Sequence, residues 1–142
     1  MQFGEWQFTC DRQATLDAYA REEAGGADSC TCNGCRNFRL VRDRVYPKAF
    51  LEFLESFGID PIKDGEVYHN GAVEPGAHSY GGWFHLVGTL DKTGDFPTVE
   101  MGPGFRVWLC RKSAPPLGSL KGIPLVQVEF LAERVPWVLA GA

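Results

Sequence analysis

The chain has 142 residues, of which 44% are hydrophobic, 13% aromatic and 23% charged, with a formal net charge of −4. That length fits one domain with a hydrophobic core of its own, spanning 1–142. The acidic balance argues against a broad nucleic-acid footprint, and no apolar run approaches the ~18 residues of a membrane-spanning helix.

Met1 to Cys10 carries no basic stretch followed by an apolar run, so a secretory leader is not expected and a cytoplasmic location is. A reducing compartment disfavours structural disulfides, and five cysteines cannot all pair with one another. Phe3 to Thr9 reads as an opening strand, with Phe3, Trp6 and Phe8 supplying its apolar bulk. Asp11 or Thr9 can cap a helix running to about Ala24, because either side-chain oxygen can accept a backbone N–H. Leu16, Tyr19, Ala20 and Ala24 recur at helical spacing and predict its buried stripe. Gly25-Gly26 is the expected stop.

The segment Cys30-Thr31-Cys32-Asn33-Gly34-Cys35 follows, and it is the most chemically pointed stretch of the chain. Asn33-Gly34 predicts a tight turn with positive φ. Phe38, Leu40 and Val41 suggest a short helix growing out of it toward Arg44, and Pro47 opens a second helix at its first position. There Phe50, Phe53, Leu54 and Phe57 fall at i, i+3, i+4 and i+7 and face the core together. Gly58 and Asp60-Pro61 end it.

From Glu66 onward the period changes to two. Strands are expected at 66–73, 79–90, 105–111 and 125–132, where Val126, Val128 and Phe130 alternate with Gln127 and Glu129. Ser113 to Pro124 is a proline- and glycine-rich loop. Helices followed by strands predict an α+β fold: amino-terminal helices with a cysteine-rich metal-binding turn, packed on a mostly antiparallel sheet.

Three thiols within six residues can be satisfied together by one soft or borderline cation. A tetrahedral zinc has thiolate bonds of about 2.3 Å and takes four ligands. The expected set is Cys10, Cys30, Cys32 and Cys35, holding a structural Zn2+. His69, His78, His85 and Cys110 are the substitutes for the fourth position, Cys110 least favoured because it lies in an apolar strand, where a cysteine behaves as a small hydrophobe. Dithiol chemistry at Cys32-x-x-Cys35 is the alternative, since a thiolate at a helix N-terminus is stabilised by the dipole. No hydrolase elbow and no zinc-protease helix motif accompany the histidines.

Tyr80-Gly81-Gly82-Trp83-Phe84-His85 is the second unusual segment. Paired glycines in a strand mark a bulge or a close approach, and the flanking aromatics fit either the core or a groove for a protein or peptide partner. The basic island Arg36, Arg39, Arg42, Arg44 and Lys48, broken only by Asp43, could meet phosphate or serve as a solvated face paired with acids. The reading is therefore a small soluble zinc protein, a binding or interaction protein rather than an enzyme. A metal- or thiol-dependent enzyme using Cys32, Cys35 and a histidine stands as the alternative.

Overall fold

The structure is a computed structural model that describes residues 1–92 and 94–140. Two short strands, β1 (Gln2–Phe3) and β2 (Trp6–Phe8), open the chain, followed by α1 (Arg12–Ala20), α2 (Gly26–Ser29), α3 (Asn33–Val45) and α4 (Lys48–Ser56). Then come β3 (Glu66–Glu74), β4 (Ala77–Val87), β5 (Leu90–Lys92), β6 (Val99–Gly102), β7 (Phe105–Arg111) and β8 (Leu125–Pro136), with a 3-10 turn at Gly118–Leu120. The strands form two sheets, β1-β2-β5 and β3-β4-β8-β7-β6, and every pairing is antiparallel. The protein is thus mixed α+β, with the cysteine cluster in its amino-terminal helical region. Among the described residues no helix is long and apolar enough to cross a membrane.

Alternation decides which side of the large sheet faces the helices. The rows Val67–Gly82–Phe130–Val107 and Tyr80–Ala132–Phe105 lie on one face, and every side chain in them is buried. Aromatic rings fill the space beneath α3 and α4. Phe50 stands 4.8 Å from Phe105 and 5.7 Å from Phe130, centroid to centroid, and Tyr46 stands 5.4 Å from Phe130. Rings at these separations add edge and offset-stacking energy to the area they bury.

Gly81 and Gly82 sit in unbroken register with β8, so they form no bulge. They instead make room on opposite faces. A Cβ on Gly82 would come within 2.8 Å of the Phe130 ring and 2.7 Å of the Glu66 carbonyl, while one on Gly81 would meet the Tyr68 ring at 2.3 Å. Close approach, the other sequence expectation for this pair, is what the glycines serve.

Some elements differ from the sequence expectation. The opening strand is a hairpin, because Gly4 turns the chain at φ +57. Asp11 caps α1 through Ala14 N at 3.0 Å as expected, but the helix ends at Ala20. Its buried face holds Thr15, Ala18 and Tyr19, whereas Leu16 is exposed. The helix is rotated because the Thr15 hydroxyl accepts from Val87 N, and the Tyr19 hydroxyl bridges the backbone of His85. Gly25 and Gly26 lead into α2, and a Cβ on Gly25 would meet Asp64 N at 2.5 Å.

Candidate metal centre

Helix α3 starts inside the cysteine segment rather than after it. Asn33 and Gly34 form its first turn in helical conformation, and neither has positive φ. Cys32 is the N-cap, with φ −67 and ψ 160, and its sulfur accepts from Cys35 N at 3.4 Å. The short capping reach that serine uses is here taken by sulfur.

The three sulfurs converge. Those of Cys30, Cys32 and Cys35 all lie within 4.8 Å of one another, and Cys30 Sγ sits 3.1 Å from Cys32 Sγ. Tetrahedral thiolates at about 2.3 Å from a zinc stand about 3.8 Å apart, so small side-chain rotations would bring these sulfurs around one ion. Cys32 is exposed, Cys30 is half-exposed, and Cys35 is buried with its sulfur 4.0 Å from the Val67 carbonyl.

Their acidities are divided by these surroundings. The Cys35 N–H, then the Cys30 thiol, hold the Cys32 thiol below its ordinary range. Burial first, then the neighbouring thiols, push Cys35 well above it. At neutral pH the exposed sulfur at the helix N-terminus is the one that ionises most readily.

The basic island is what fixes this turn in place. Arg39 donates to the carbonyls of Ala27 and Cys30 at 2.5 and 2.6 Å, clamping the strand of chain before the cysteines onto α3. Arg42 pairs with Asp28 at 3.2 Å, and Arg36 donates to Asn33 Oδ1 at 3.0 Å. Three of the five cations thus engage groups of this turn, and a fourth, Lys48, pairs with Glu52 on α4 at 3.8 Å.

A second cluster backs the first turn of α3. The Tyr80 hydroxyl donates to Gly34 O at 2.7 Å, and Asn37 Nδ2 donates to Pro136 O at 2.9 Å. His69 lies directly against Gly34: a Cβ there would stand 2.8 Å from His69 Cβ and 3.3 Å from its Nδ1. His69 Nε2 and His78 Nδ1 are 2.6 Å apart, and the Trp137 ring stacks on both histidines at 5.2 and 4.1 Å. Burial, then His78, lowers the His69 pKa, which favours the neutral imidazole that a metal requires.

The other residues singled out in the sequence lie elsewhere. Cys10 is not brought into the sulfur group; its thiol faces Phe57 O at 3.9 Å, and the side chain packs against the core between β2 and α1. His85 is buried, with Nε2 3.2 Å from Gln127 Oε1. Cys110 is half-buried on β7, its thiol pushed up to about 12 by burial and then by Glu129. Sequence reasoning assigned no role to Trp137, and to Arg39 only a share in the basic island, not a clamp on the cysteine turn. Trp137 left no signal, whereas the nine-residue separation of His69 and His78 across a hairpin could have paired those two rings.

Comparison of the chain with protein-family models, curated proteins and solved structures finds no match.

Proposed function

We propose that the protein binds one Zn2+ through Cys30, Cys32 and Cys35, and that the ion braces the start of α3 against β3. The observation that carries this reading is the convergence of three sulfurs within 4.8 Å at one turn. Three thiolates so close repel one another unless a cation lies between them, and zinc is well matched to a thiolate-rich tetrahedral set.

For the fourth position the favoured ligand is His69 rather than Cys10. His69, exposed on β3, lies against Gly34 of the turn, whereas the Cys10 sulfur is turned toward Phe57. When His69 Nε2 donates to His78, its Nδ1 is left as an acceptor beside Gly34; His69, like Cys10, stands outside the 4.8 Å sulfur group and would have to turn toward it. Donation of the far ring N–H to His78 is the arrangement by which an outer partner orients a metal-bound imidazole. A closed Cys3His sphere has no position for activated water, so the role is structural and the protein works by binding.

Elemental analysis of reduced protein purified without added metal should find about one zinc per chain. Substitution C32S should abolish it, H69A should weaken it, and C10S should leave it unchanged. Metal-free protein, or protein whose zinc survives C32S, overturns the reading.

A specific observation supports a second reading. Cys32 is exposed with its thiolate favoured, and Cys35 is buried with its thiol favoured; this division suits an attacking and a resolving thiol. In that case metal-free reduced protein would form a reversible Cys32–Cys35 disulfide in a glutathione buffer and return to the dithiol without loss of fold.

A further inference from the structure

The three sulfurs at the head of α3 form a triangle that is closed below and open above. Cys35 lies buried at its base, while Cys30 is half-exposed and Cys32 exposed. Among the described residues no histidine, carboxylate or fourth thiol joins the group within 4.8 Å. The backbone holds the three in place. Cys32 is the N-cap of α3, with its sulfur 3.4 Å from Cys35 N. Arg39 donates to Cys30 O at 2.6 Å and so keeps Cys30 against the helix, its sulfur 3.1 Å from that of Cys32. A set ordered in advance loses less freedom when a ligand arrives.

The donor set selects the ligand. Thiolates favour soft ions, and hard ions take oxygen ligands that the group lacks. A four-coordinate ion needs a further group to move in from outside the triangle. A trivalent metalloid such as arsenic(III) or antimony(III) does not: it makes three bonds on one side and keeps a lone pair on the other. Three thiolates around a trivalent centre also make a neutral unit. That suits a set whose deepest member is buried, because burying net charge is costly.

We propose that this turn also binds trivalent metalloid hydroxides of the arsenite class, through Cys30, Cys32 and Cys35, with the lone pair on the open side. The exchange proceeds one sulfur at a time. A sulfur–arsenic bond forms, an arsenic–oxygen bond breaks, and the hydroxide leaves with the thiol proton as water. As(OH)3 and three thiols thus become As(SR)3 and three waters. Arsenic stays trivalent, so no oxidant or reductant takes part. The exposed Cys32 is the point of entry, Cys30 is beside it, and the buried Cys35 completes the set. The proposal shares its sulfurs with the zinc reading but needs neither zinc nor His69.

The test is titration of the full chain, stripped of metal and reduced with a phosphine, with sodium arsenite. Near-ultraviolet absorbance of the arsenic–sulfur bonds gives the affinity, and native mass spectrometry counts the hydrogens displaced. A single arsenic should enter each chain and displace three hydrogens, one from each clustered thiol. Phenylarsine oxide, which has only two exchangeable positions, should displace two. C30S and C32S each keep a dithiol and should bind arsenite at least about tenfold more weakly than the native chain. C10S, C110S and H69A should bind it as the native chain does. Zinc titrated into the same samples separates the two readings: arsenite held by three thiols without zinc binding keeps this proposal and loses the other, and zinc binding without arsenite binding does the reverse. An arsenite adduct that displaces only two thiol hydrogens and retains a hydroxide overturns the proposal. Unchanged affinity in C30S and C32S overturns it as well.

Discussion

Two neighbouring glycines on one strand face opposite environments, and their substitutions should separate accordingly. At Gly81 an added methyl meets the far end of Tyr68, a half-buried side chain that can swing away. At Gly82 it meets a backbone carbonyl and the fully buried Phe130 ring, neither of which can move without repacking the sheet. G82A should therefore cost about 2–3 kcal/mol and G81A under about 1 kcal/mol, read as the difference in urea midpoint at unchanged slope. Equal losses would mean that Tyr68 is held as rigidly as the core. The cysteines make a second residue-scale prediction. Iodoacetamide at neutral pH should label Cys32 first in metal-free protein, since it is exposed and its thiolate is favoured, and should reach Cys35 and Cys110 last. Mass spectrometry of tryptic peptides over a time course checks the order.

At the scale of elements, α3 has two uses for one side chain: Cys32 caps the helix and belongs to the sulfur group. Serine keeps the cap and cannot replace the thiolate, whereas alanine loses both. In metal-free protein C32A should be less stable than C32S by about 1 kcal/mol, and with zinc present both should lose the same metal-dependent stabilisation in thermal unfolding. If the two variants are equally stable without metal, the sulfur cap contributes nothing. The elements that were legible in the sequence are those whose burial follows a simple period. Helix α4, with Phe50 and Leu54 buried, and β7, with Phe105, Val107 and Leu109 buried, match expectation because one face of each is wholly apolar. Helix α1 was misread because hydroxyl groups, those of Thr15 and Tyr19, occupy its inner face and bond to β4. Strand β6 is absent from the sequence expectation because it carries only Val99 and Met101 as apolar residues, too short a run to show a period. The sulfur cluster was legible because its members are close in sequence. The approach of His69 to Gly34 and the turning of Cys10 toward Phe57 depend on how distant elements pack, which a single sequence does not encode in any local pattern.

For the whole molecule, two buried ionisable groups pull the acid response in opposite directions. Asp64 sits just before β3, with Oδ2 accepting from Ala27 N at 3.1 Å and Oδ1 buried without a partner. Burial pushes its carboxyl up to about 6, against the pull of Ala27 N–H and Arg42, with Asp28 adding to the rise. The folded chain thus holds this proton more tightly than the unfolded chain, whose aspartate titrates near ~3.9. Its contribution to stability is full below about pH 4 and is lost as pH rises through about 6. His85 does the reverse. Burial drives it down to about 4, with Gln127 opposing and Lys112 assisting; its contribution is full above about pH 6.5 and is lost as pH falls toward about 4. Each effect is on the order of 2–3 kcal/mol at the converted rate per unit, so in the native protein they largely offset each other between about pH 6.5 and 4. Removing one should unmask the other. D64N should lose stability more steeply than the native protein on acidification from pH 7 to 4.5, and H85Q should gain stability over the same interval, whatever each substitution costs at pH 7. Urea unfolding at half-unit pH steps gives both slopes. A D64N profile parallel to the native one would show that Asp64 is already ionised in the fold, with the Arg42 guanidinium, whose Nη1 is also buried without a partner, as its counter-charge.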